Sequence, residues 1–496
     1  MNFDPNVSVL IVAVLLLLSV LASKTASRTG LPVLAIFLLV GMLAGSEGIG
    51  KIVFNNTETA RFLGSIALCF ILFSGGLDTK MQEIRPVMWK GVILSTLGVL
   101  LTALLLGVFI YWITDFGWAV SMLLSSIVSS TDAAAVFAIF RSKNSGLKRR
   151  LRPTLELESG SNDPMAYFLV ITFITIIQHP ETPLWGMILS FLKGMGLGLL
   201  MGILIGKLMT RVINHVGLSS EGLYPVLTMS MMLLSMSFTE FVGGNGFLSV
   251  YLSGLMLGNS NIIHKRSLLR FFDGFAWLMQ ILMFLCLGLL VFPSQIVGII
   301  GPGLLISTFL ILIVRPLAVF LCLLPFKTYY KDLLLISWVG LKGAVPIIFA
   351  IYPMVANIPH AGDIFNLVFF ITLTSLLLQG TTLFKVAGWL KLTIPERIIK
   401  KTILEFDSDT IKSVLEEMTV EPGFRCVNHT IVEMALPKTA LIVMIERDDK
   451  YFTPNGSTIV EAGDKLTILA DSRENLQFTF ASLKELPTSK SKPETQ

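Results

Sequence analysis

The sequence predicts an all-α polytopic membrane protein of about 13 transmembrane helices, followed by a small α+β domain at the C-terminus. Hydrophobic residues make up 53% of the chain and charged residues only 14%, whereas soluble domains carry about 25% charge. Most of the apolar length lies in residues 1–390, and residues 395–496 have the composition of a soluble domain. This apolar composition makes a lipid bilayer the expected partner. The net charge of +5 is small, so nucleic acid is not an expected partner.

Apolar stretches of membrane-spanning length recur along the first part of the chain. They are predicted at residues 7–22, 31–46, 60–77, 87–113, 117–140, 153–178, 183–210, 221–241, 244–260, 271–292, 298–325, 332–353 and 363–385. Lys and Arg cluster in every second loop between them, which is typical of cytoplasmic loops. An odd number of spans then places the N-terminus outside and the C-terminal domain in the cytoplasm.

Two of these spans contain helix-breaking runs. Span five contains SSTD at residues 129–132, and span twelve contains GLKGAVP at residues 340–346. Interruptions at corresponding places in two halves are typical of transporters with inverted repeats, in which unwound backbone faces a bound ion. The sequence therefore predicts inverted repeats and two broken crossing helices, although Gly and Pro are also common in ordinary membrane helices.

Two acidic residues lie deep in apolar surroundings on either side of a basic loop. Asp132 precedes Arg141 by nine residues, and Asp163 follows Arg152 by eleven. At about 1.5 Å per helical residue, both carboxylates lie about 13–17 Å from the loop, which is half of a ~30 Å hydrocarbon core. Ionisable groups at this depth are costly and typical of transport sites. We therefore predict that both acids bind the transported ion; capping of the following helix is the alternative role for Asp132.

Neighbouring side chains supply further oxygen ligands. Ser159 lies one helical turn before Asp163, so the two share a face, and Thr131 offers a hydroxyl and a carbonyl at the first break. Such oxygens suit an alkali cation rather than a transition metal. We predict a K⁺ or Na⁺ site at Asp132, Asp163, Thr131 and Ser159. Since carboxylates also bind protons, cation and proton compete for the same oxygens, which is a basis for exchange.

Two basic residues are predicted at a similar depth. Arg315 lies eleven residues before Phe326, and Lys342 lies eleven after Lys331. Glu158 is the natural partner of Arg315, because an unpaired charge is hard to sustain there; a cation-ligand role for Glu158 is the alternative. Lys342 is either a structural charge at the second break or a functional group. An Arg keeps its proton, so such a pair favours one-for-one, electroneutral exchange.

Four ordered motifs resemble the monovalent cation:proton antiporters of the NhaP/NHE type, over residues 8–390. They are SSTDAAAVFAIF, ESGSNDP, GGNGFLSVYLSGLMLGN and GLKGAVPI. The resemblance implies a homodimer in the cell inner membrane, with a core domain that moves against a dimerisation domain by elevator-type alternating access. It implies a transporter rather than an enzyme, with no cofactor besides the transported ions.

The resemblance assigns the ion site to the same four residues. Asn162 with Asp163 corresponds to the Asn-Asp pair of electroneutral members, where electrogenic members have Asp-Asp; a hydrogen bond between helices is the alternative role for Asn162. Glu158 and Arg315 correspond to a buried ion pair of the family. Lys342 departs from the family, which usually has Arg in this segment, and its role stays open.

The C-terminal part shows β-branched runs separated by turn residues, typical of a small α+β module. We predict a helix at 404–418, strands within 424–472 and a closing helix at 474–486. The run ALPKTALIVMIERDDKYFTPNGSTIVEAGDKLTILA resembles a TrkA-C (RCK C-terminal) module. Such modules are regulatory and accompany potassium transport; some related modules bind cyclic di-AMP, so a small nucleotide regulator is an expectation from the resemblance.

The predicted organisation has four parts. They are a transmembrane antiporter domain at 1–390, a linker at 391–403, a cytoplasmic regulatory domain at 404–486 and a disordered tail at 487–496. The predicted function is antiport of K⁺, or also Na⁺, against H⁺. The alternatives are a Na⁺/H⁺ antiporter of the same fold and a ligand-gated cation channel, although the sequence holds no repeated Gly motif typical of a carbonyl-lined filter.

Overall fold

The computed structural model describes residues 5–29, 32–52, 54, 56–143, 145–395, 414–437, 439–447 and 450–484. The chain forms two compact units, Met1–Lys400 and Lys401–Gln496. Each unit is described by itself. The predicted tail and the predicted linker from residue 396 onwards lie outside the described residues.

The first unit consists of helices that coincide with the predicted spans. They are α1 Pro5–Thr29, α2 Val33–Ala44, α3 Thr57–Asp78, α4 Met81–Ile113, α5 Trp118–Ile127, α6 Ala133–Ser142, α7 Leu151–Gln178, α8 Leu184–His215, α9 Leu223–Phe241, α10 Gly246–Gly258, α11 Lys265–Leu289, α12 Pro293–Leu323, α13 Tyr330–Trp338, α14 Val345–Val355 and α15 Ala361–Trp389. Among the described residues, 7 helices are long and apolar enough to cross a membrane, and shorter apolar helices accompany them. The polytopic helical fold is thus confirmed, whereas the number of 13 spans stays a prediction.

Both predicted helix breaks are present. α5 ends at Ile127 and α6 begins at Ala133, and in the second half α13 ends at Trp338 and α14 begins at Val345. The unwound stretches overlap the SSTD and GLKGAVP runs, which contain Gly, Ser, Thr and Asp, residues of low helix propensity.

The order of elements around the two breaks repeats. Each broken helix follows a long helix that contains a π-helical turn, Leu94–Gly98 in α4 and Leu310–Val314 in α12. Each is followed by another long helix, α7 in the first half and α15 in the second. Phe109 and Phe309 stack with ring centroids 3.7 Å apart, so α4 and α12 pack directly against each other.

Packing divides these helices into two groups. α4 to α7 and α12 to α15 pack around the two breaks, whereas α1 to α3 and α8 to α11 pack with one another. The groups meet mainly where α14 contacts α3 and where α10 contacts α7. The breaks therefore lie inside one group, close to its boundary with the other.

A short ribbon joins two distant parts of the first unit. Strand β1, Ser145–Leu147, lies in the loop between α6 and α7 and pairs antiparallel with β2, Thr393–Pro395, which follows α15. β2 falls inside the predicted linker, so the first residues of that stretch belong to the first unit, Met1–Lys400, which is called the membrane unit below.

The second unit is a four-stranded antiparallel sheet with one helix. The strands are β3 Val414–Thr419, β4 Ala440–Arg447, β5 Lys450–Phe452 and β6 Lys465–Ala470, in the order β3-β6-β4-β5, followed by α16 Arg473–Lys484. The core of the sheet includes Ile445, Leu466 and Ile468, each 0% exposed. The closing helix was expected from the sequence, and α16 matches it within the described residues.

Two expectations for the second unit were wrong. The predicted helix at 404–418 is a strand from Val414, because this segment pairs in full register with β6 and buries Met418 in the core; residues 404–413 lie outside the described part. The run 424–437, expected to contain a strand, forms turns that are joined to residues 456–460 by the isolated bridge between Thr430 and Ile459 and by further backbone hydrogen bonds.

Candidate ion-binding site

The two helix breaks are in direct contact. The N–H of Asp132 donates to the C=O of Leu341 at 2.8 Å, and Lys342 Nζ donates to the C=O of Ser130 at 2.9 Å. Helix ends leave backbone groups without intrahelical partners, and here each break supplies partners to the other. Unwound backbone from both halves of the chain therefore meets at one place.

Asp132 caps a helix and also faces a cavity. Its Oδ1 accepts the N–H of Ala135 at 3.1 Å, as an N-cap of α6. The residue also lines a cavity of about 280 Å³. The capping role left open by the sequence is therefore present, and it leaves the carboxylate accessible to an ion.

Asp163 lines the same cavity from α7. The residue is 6% exposed, and its Oδ1 has no hydrogen-bond donor among the described residues. A buried carboxylate oxygen without a donor is unfavourable, and a proton or a dehydrated cation removes that penalty. Together with Asp132, it gives the cavity two carboxylates.

Three polar side chains fasten the first break to α7. Ser159 Oγ donates to the C=O of Thr131 and accepts the N–H of Ala133, both at 2.9 Å. Asn162 Nδ2 donates to Thr131 Oγ1 at 2.7 Å, and its buried Oδ1 has no donor in the described part of the chain. The predicted neutral ligands thus also brace the site. Ser159 lines the cavity, whereas Thr131 is buried outside its lining.

Glu158 and Arg315 form a buried ion pair away from the cavity lining. Their side chains are 2% and 5% exposed, and Arg315 Nη2 donates to Glu158 Oε1. Gly340 of the second break packs on the guanidinium, because a Cβ at this position would lie 2.9 Å from Arg315 Nε. The pair joins α7, α12 and the second break, and these contacts favour a structural role over a ligand role for Glu158.

Lys342 caps the end of a half-helix. Its ammonium lies within hydrogen-bond reach of two carbonyls that follow α5, those of Ser130 at 2.9 Å and Ser129 at 3.4 Å. A cation at a helix C-terminus is stabilised by the helix dipole. The Lys342 N–H in turn donates to Ser375 Oγ at 3.0 Å. The contacts favour the structural role for this residue.

Replacement of Lys342 by methionine is therefore expected to destabilise the contact between the two helix breaks. Two charge-assisted hydrogen bonds are lost and their carbonyl acceptors stay buried, which costs about 1.5–3 kcal/mol. Thermal unfolding of the detergent-solubilised protein should shift downwards, and Lys342→Arg should restore most of the loss. An unchanged unfolding temperature for Lys342→Met would contradict the capping role.

Gly343 is a site residue that the sequence did not single out. A Cβ at this position would lie 2.1 Å from Asp132 Oδ2 and 2.7 Å from Asp132 Cγ. The carboxylate therefore occupies the space that a side chain at 343 would need. The GLKGAVP motif indicated a break, but only the close packing of the two breaks explains why this position holds glycine.

The substitution Gly343→Ala is expected to lower transport about 10-fold by displacing the Asp132 carboxylate, since overpacking costs about 1–3 kcal/mol. Gly362→Ala is a matched control, because no atom lies within 4 Å of a Cβ at that position. Initial rates in membrane vesicles, normalised to folded protein, measure the effect. Equal rates for the two variants would refute the contact between Gly343 and Asp132 as a constraint.

Further charged residues line the cavity between the two carboxylates and the basic loop. They are Asp78, Arg141, Lys143, Arg152, Glu156 and Asp273. Because Arg141 and Arg152 lie at the helix ends beside the loop predicted to be cytoplasmic, the cavity extends from the ion site towards that side.

The three acids in this list, Asp78, Glu156 and Asp273, were not assigned to the site from the sequence. Glu156 could have been found, because it precedes Asp163 by seven residues and so lies two turns away on the same helix face. Asp78 is the last residue of α3, where an acidic residue is ordinary and does not indicate a site. Asp273 lies on α11, whose packing near the cavity depends on contacts distant in sequence.

Family models match both parts of the chain. Residues 12–389 match the model described as "Sodium/hydrogen exchanger, transmembrane". Residues 415–478 match the TrkA-C domain. The first match covers far more than half of the chain.

Several curated relatives are similar over nearly the full length. The chain is 41% identical to a protein of Shewanella sp. (strain MR-4) named K(+)/H(+) antiporter NhaP2, with 96% of this chain and 84% of the relative covered. It is 39% identical to K(+)/H(+) antiporter NhaP of Alkalimonas amylolytica, over 94% and 81%. It is 25% identical to Na(+)/H(+) antiporter 1 of Methanocaldococcus jannaschii, over 68% and 80%. These relatives are named as transporters and not as enzymes.

A solved structure has the same fold. The sodium proton antiporter MjNhaP1 from Methanocaldococcus jannaschii at pH 8 superposes with a TM-score of 0.68 at 24% identity, covering 77% of this chain and 98% of that chain. At this identity the likeness concerns the fold of the membrane unit.

Proposed function

Because the chain belongs to the sodium/hydrogen exchanger family and is a cation/proton antiporter, we propose that it exchanges K⁺ for H⁺ at the cavity that Asp132 and Asp163 line. The names of the relatives that are about 40% identical support K⁺ as the cation. The observation that carries the proposal is the presence of two carboxylates, with a donor-free oxygen on Asp163, in one cavity beside two helix breaks. Ser159 and Thr131 complete the proposed ligand set.

Competition is the proposed basis of coupling. A cation and a proton both neutralise the Asp163 oxygen that has no donor, so binding of one displaces the other. An empty site with two buried charges is costly to move through a low-dielectric region. This cost suppresses the conformational change that would carry the empty site across the membrane. Exchange follows without a cofactor.

Electroneutral exchange is proposed from the charges around the site. Arg315 neutralises Glu158 permanently and Asn162 carries no charge, so we propose that one K⁺ replaces one proton on the Asp132–Asp163 pair and leaves the charge of the site unchanged. Exchange driven by an imposed membrane potential would contradict this stoichiometry.

Alternating access is proposed to occur by an elevator-type movement in a homodimer of the inner membrane. The grouping of the helices supports it, since both breaks lie in one group and the two groups meet along few helix pairs. The cavity extends to Arg141 and Arg152, beside a loop proposed to be cytoplasmic. The N-terminus then lies outside and the C-terminal unit inside, where a small nucleotide is its proposed regulator.

Dequenching of a pH-sensitive dye in everted vesicles tests the proposed function. Addition of K⁺ to acidified vesicles should release protons, and Rb⁺, Na⁺ and Li⁺ added in turn rank the cations. Proton movement that does not change when any of the four cations is added would refute antiport of monovalent cations. Cation flux that does not depend on a proton gradient would favour a channel.

Na⁺/H⁺ exchange is the second candidate. The specific observation in its favour is the similarity to the Na(+)/H(+) antiporter of Methanocaldococcus jannaschii. A response to Na⁺ at lower concentration than to K⁺ in the same vesicles would decide for it.

A further inference from the structure

The β1–β2 ribbon ties the loop between the two carboxylate-bearing helices to the chain that leads into the C-terminal unit. Gly146 of β1 lies opposite Ile394 of β2. The N–H of Lys148 extends the pairing by donating to the C=O of Leu392 at 2.8 Å. Since hydrogen-bonded pairs alternate along an antiparallel ladder, Gly146 and Ile394 form the next such pair.

The loop that carries β1 is attached to both broken helices. It follows α6, which Asp132 caps, and it precedes α7, which carries Asp163. Arg149 forms an ion pair with Asp332 in the first turn of α13 and lies 4.1 Å from the centre of the Tyr329 ring. A displacement of β1 therefore acts on the helices that hold the ion site.

The other strand leads directly to the C-terminal unit. Only residues 396–413 separate the end of β2 from the start of β3. A two-stranded ribbon by itself is marginally stable, so its strands separate at little cost in free energy. The contact is thus suited to reversible coupling rather than to permanent support.

We propose that the β1–β2 ribbon is the contact through which the C-terminal unit controls the ion site. While the strands are paired, a change in that unit is transmitted to α6 and α7; when they separate, the ion site no longer responds to it. This inference rests on the proposed exchange activity, and it adds the route of regulation to it.

A pair of substitutions at one position tests the ribbon in the full chain. Ile394→Pro removes the backbone N–H that pairs with Gly146 and disfavours the strand. Ile394→Thr is the matched control, because it keeps the N–H and a β-branched side chain. Gly146→Pro and Gly146→Ala repeat the comparison from the other strand; a Cβ at 146 would make only an ordinary contact, 3.4 Å from Ile394 Cγ1.

Each variant is combined with Ile468→Asp, which places a charge in the fully buried core of the C-terminal sheet. With the ribbon intact, as in Ile394→Thr, we expect Ile468→Asp to change the half-saturating K⁺ concentration by about 5-fold or more. In Ile394→Pro the same core change should have no effect. Equal effects in both backgrounds, or no effect in either, would overturn the proposal.

Hydrogen–deuterium exchange supplies a readout that does not need transport. In the intact-ribbon protein, Ile468→Asp should raise deuterium uptake in 133–148, and in Ile394→Pro it should not add to the uptake already seen. Absence of exchange activity in the unsubstituted chain would count against the proposed function alone, whereas uptake in 133–148 that ignores Ile468→Asp in both backgrounds would overturn the ribbon proposal.

Discussion

Asp132→Asn and Asp163→Asn are each expected to lower cation-driven proton movement by at least about 100-fold, the equivalent of about 2.8 kcal/mol. Either change removes a negative charge that balances the cation in a low-dielectric cavity, and an amide does not take up the transported proton. Asn is as good an N-cap as Asp, so Asp132→Asn keeps the cap on Ala135. It therefore separates the ion-binding role of Asp132 from its structural role.

Dye dequenching in everted vesicles measures these rates, and thermal unfolding in detergent reports the fold. Asp363→Asn is the matched control, since this acid is 58% exposed at the start of α15 and pairs with His360. We expect the control to keep the rate of the unsubstituted protein. Normal rates in both cavity variants would show that the ion binds elsewhere.

Arg315→Leu is expected to destabilise the membrane unit by about 3–5 kcal/mol, because it leaves Glu158 buried without its partner. The two side chains are almost fully buried, so water does not compensate the lost interaction. The measurement is thermal unfolding of the solubilised protein, together with the amount of folded protein in the membrane.

The double variant Glu158→Gln/Arg315→Leu separates two roles for Glu158. If the pair is structural, removal of the uncompensated charge should restore most of the stability and return exchange to within about 10-fold of the original rate, since neutral replacements of buried pairs are often tolerated. A double variant that folds as well as the original protein but transports nothing would contradict a purely structural role for the pair.

Burial depth made the central residues predictable. The number of residues between Asp132 or Asp163 and the basic loop placed both at one level, and the structure brings them to one cavity. The helix-breaking runs likewise marked both interruptions, because small and polar residues act locally on helix stability. The pairing of Glu158 with Arg315 followed from the cost of an unpaired buried charge.

Contacts between distant segments were not predictable in the same way. Gly343 lies against Asp132 only because the two breaks cross, and Asp273 reaches the cavity lining through the packing of α11. The strand at Val414–Thr419 resembled a helix locally, and its pairing with β6 decided otherwise. Such features depend on partners that are remote in sequence, which local patterns do not report.

The central claim, that one site takes either a cation or a proton, is tested most directly by the pH dependence of K⁺ affinity in proteoliposomes. The half-saturating K⁺ concentration should rise as the pH on the K⁺ side falls, by up to about 10-fold per pH unit for one competing proton, while the maximal rate at saturating K⁺ and at fixed pH on the other side stays the same. A half-saturating concentration that does not change with pH would contradict a shared site at Asp132 and Asp163.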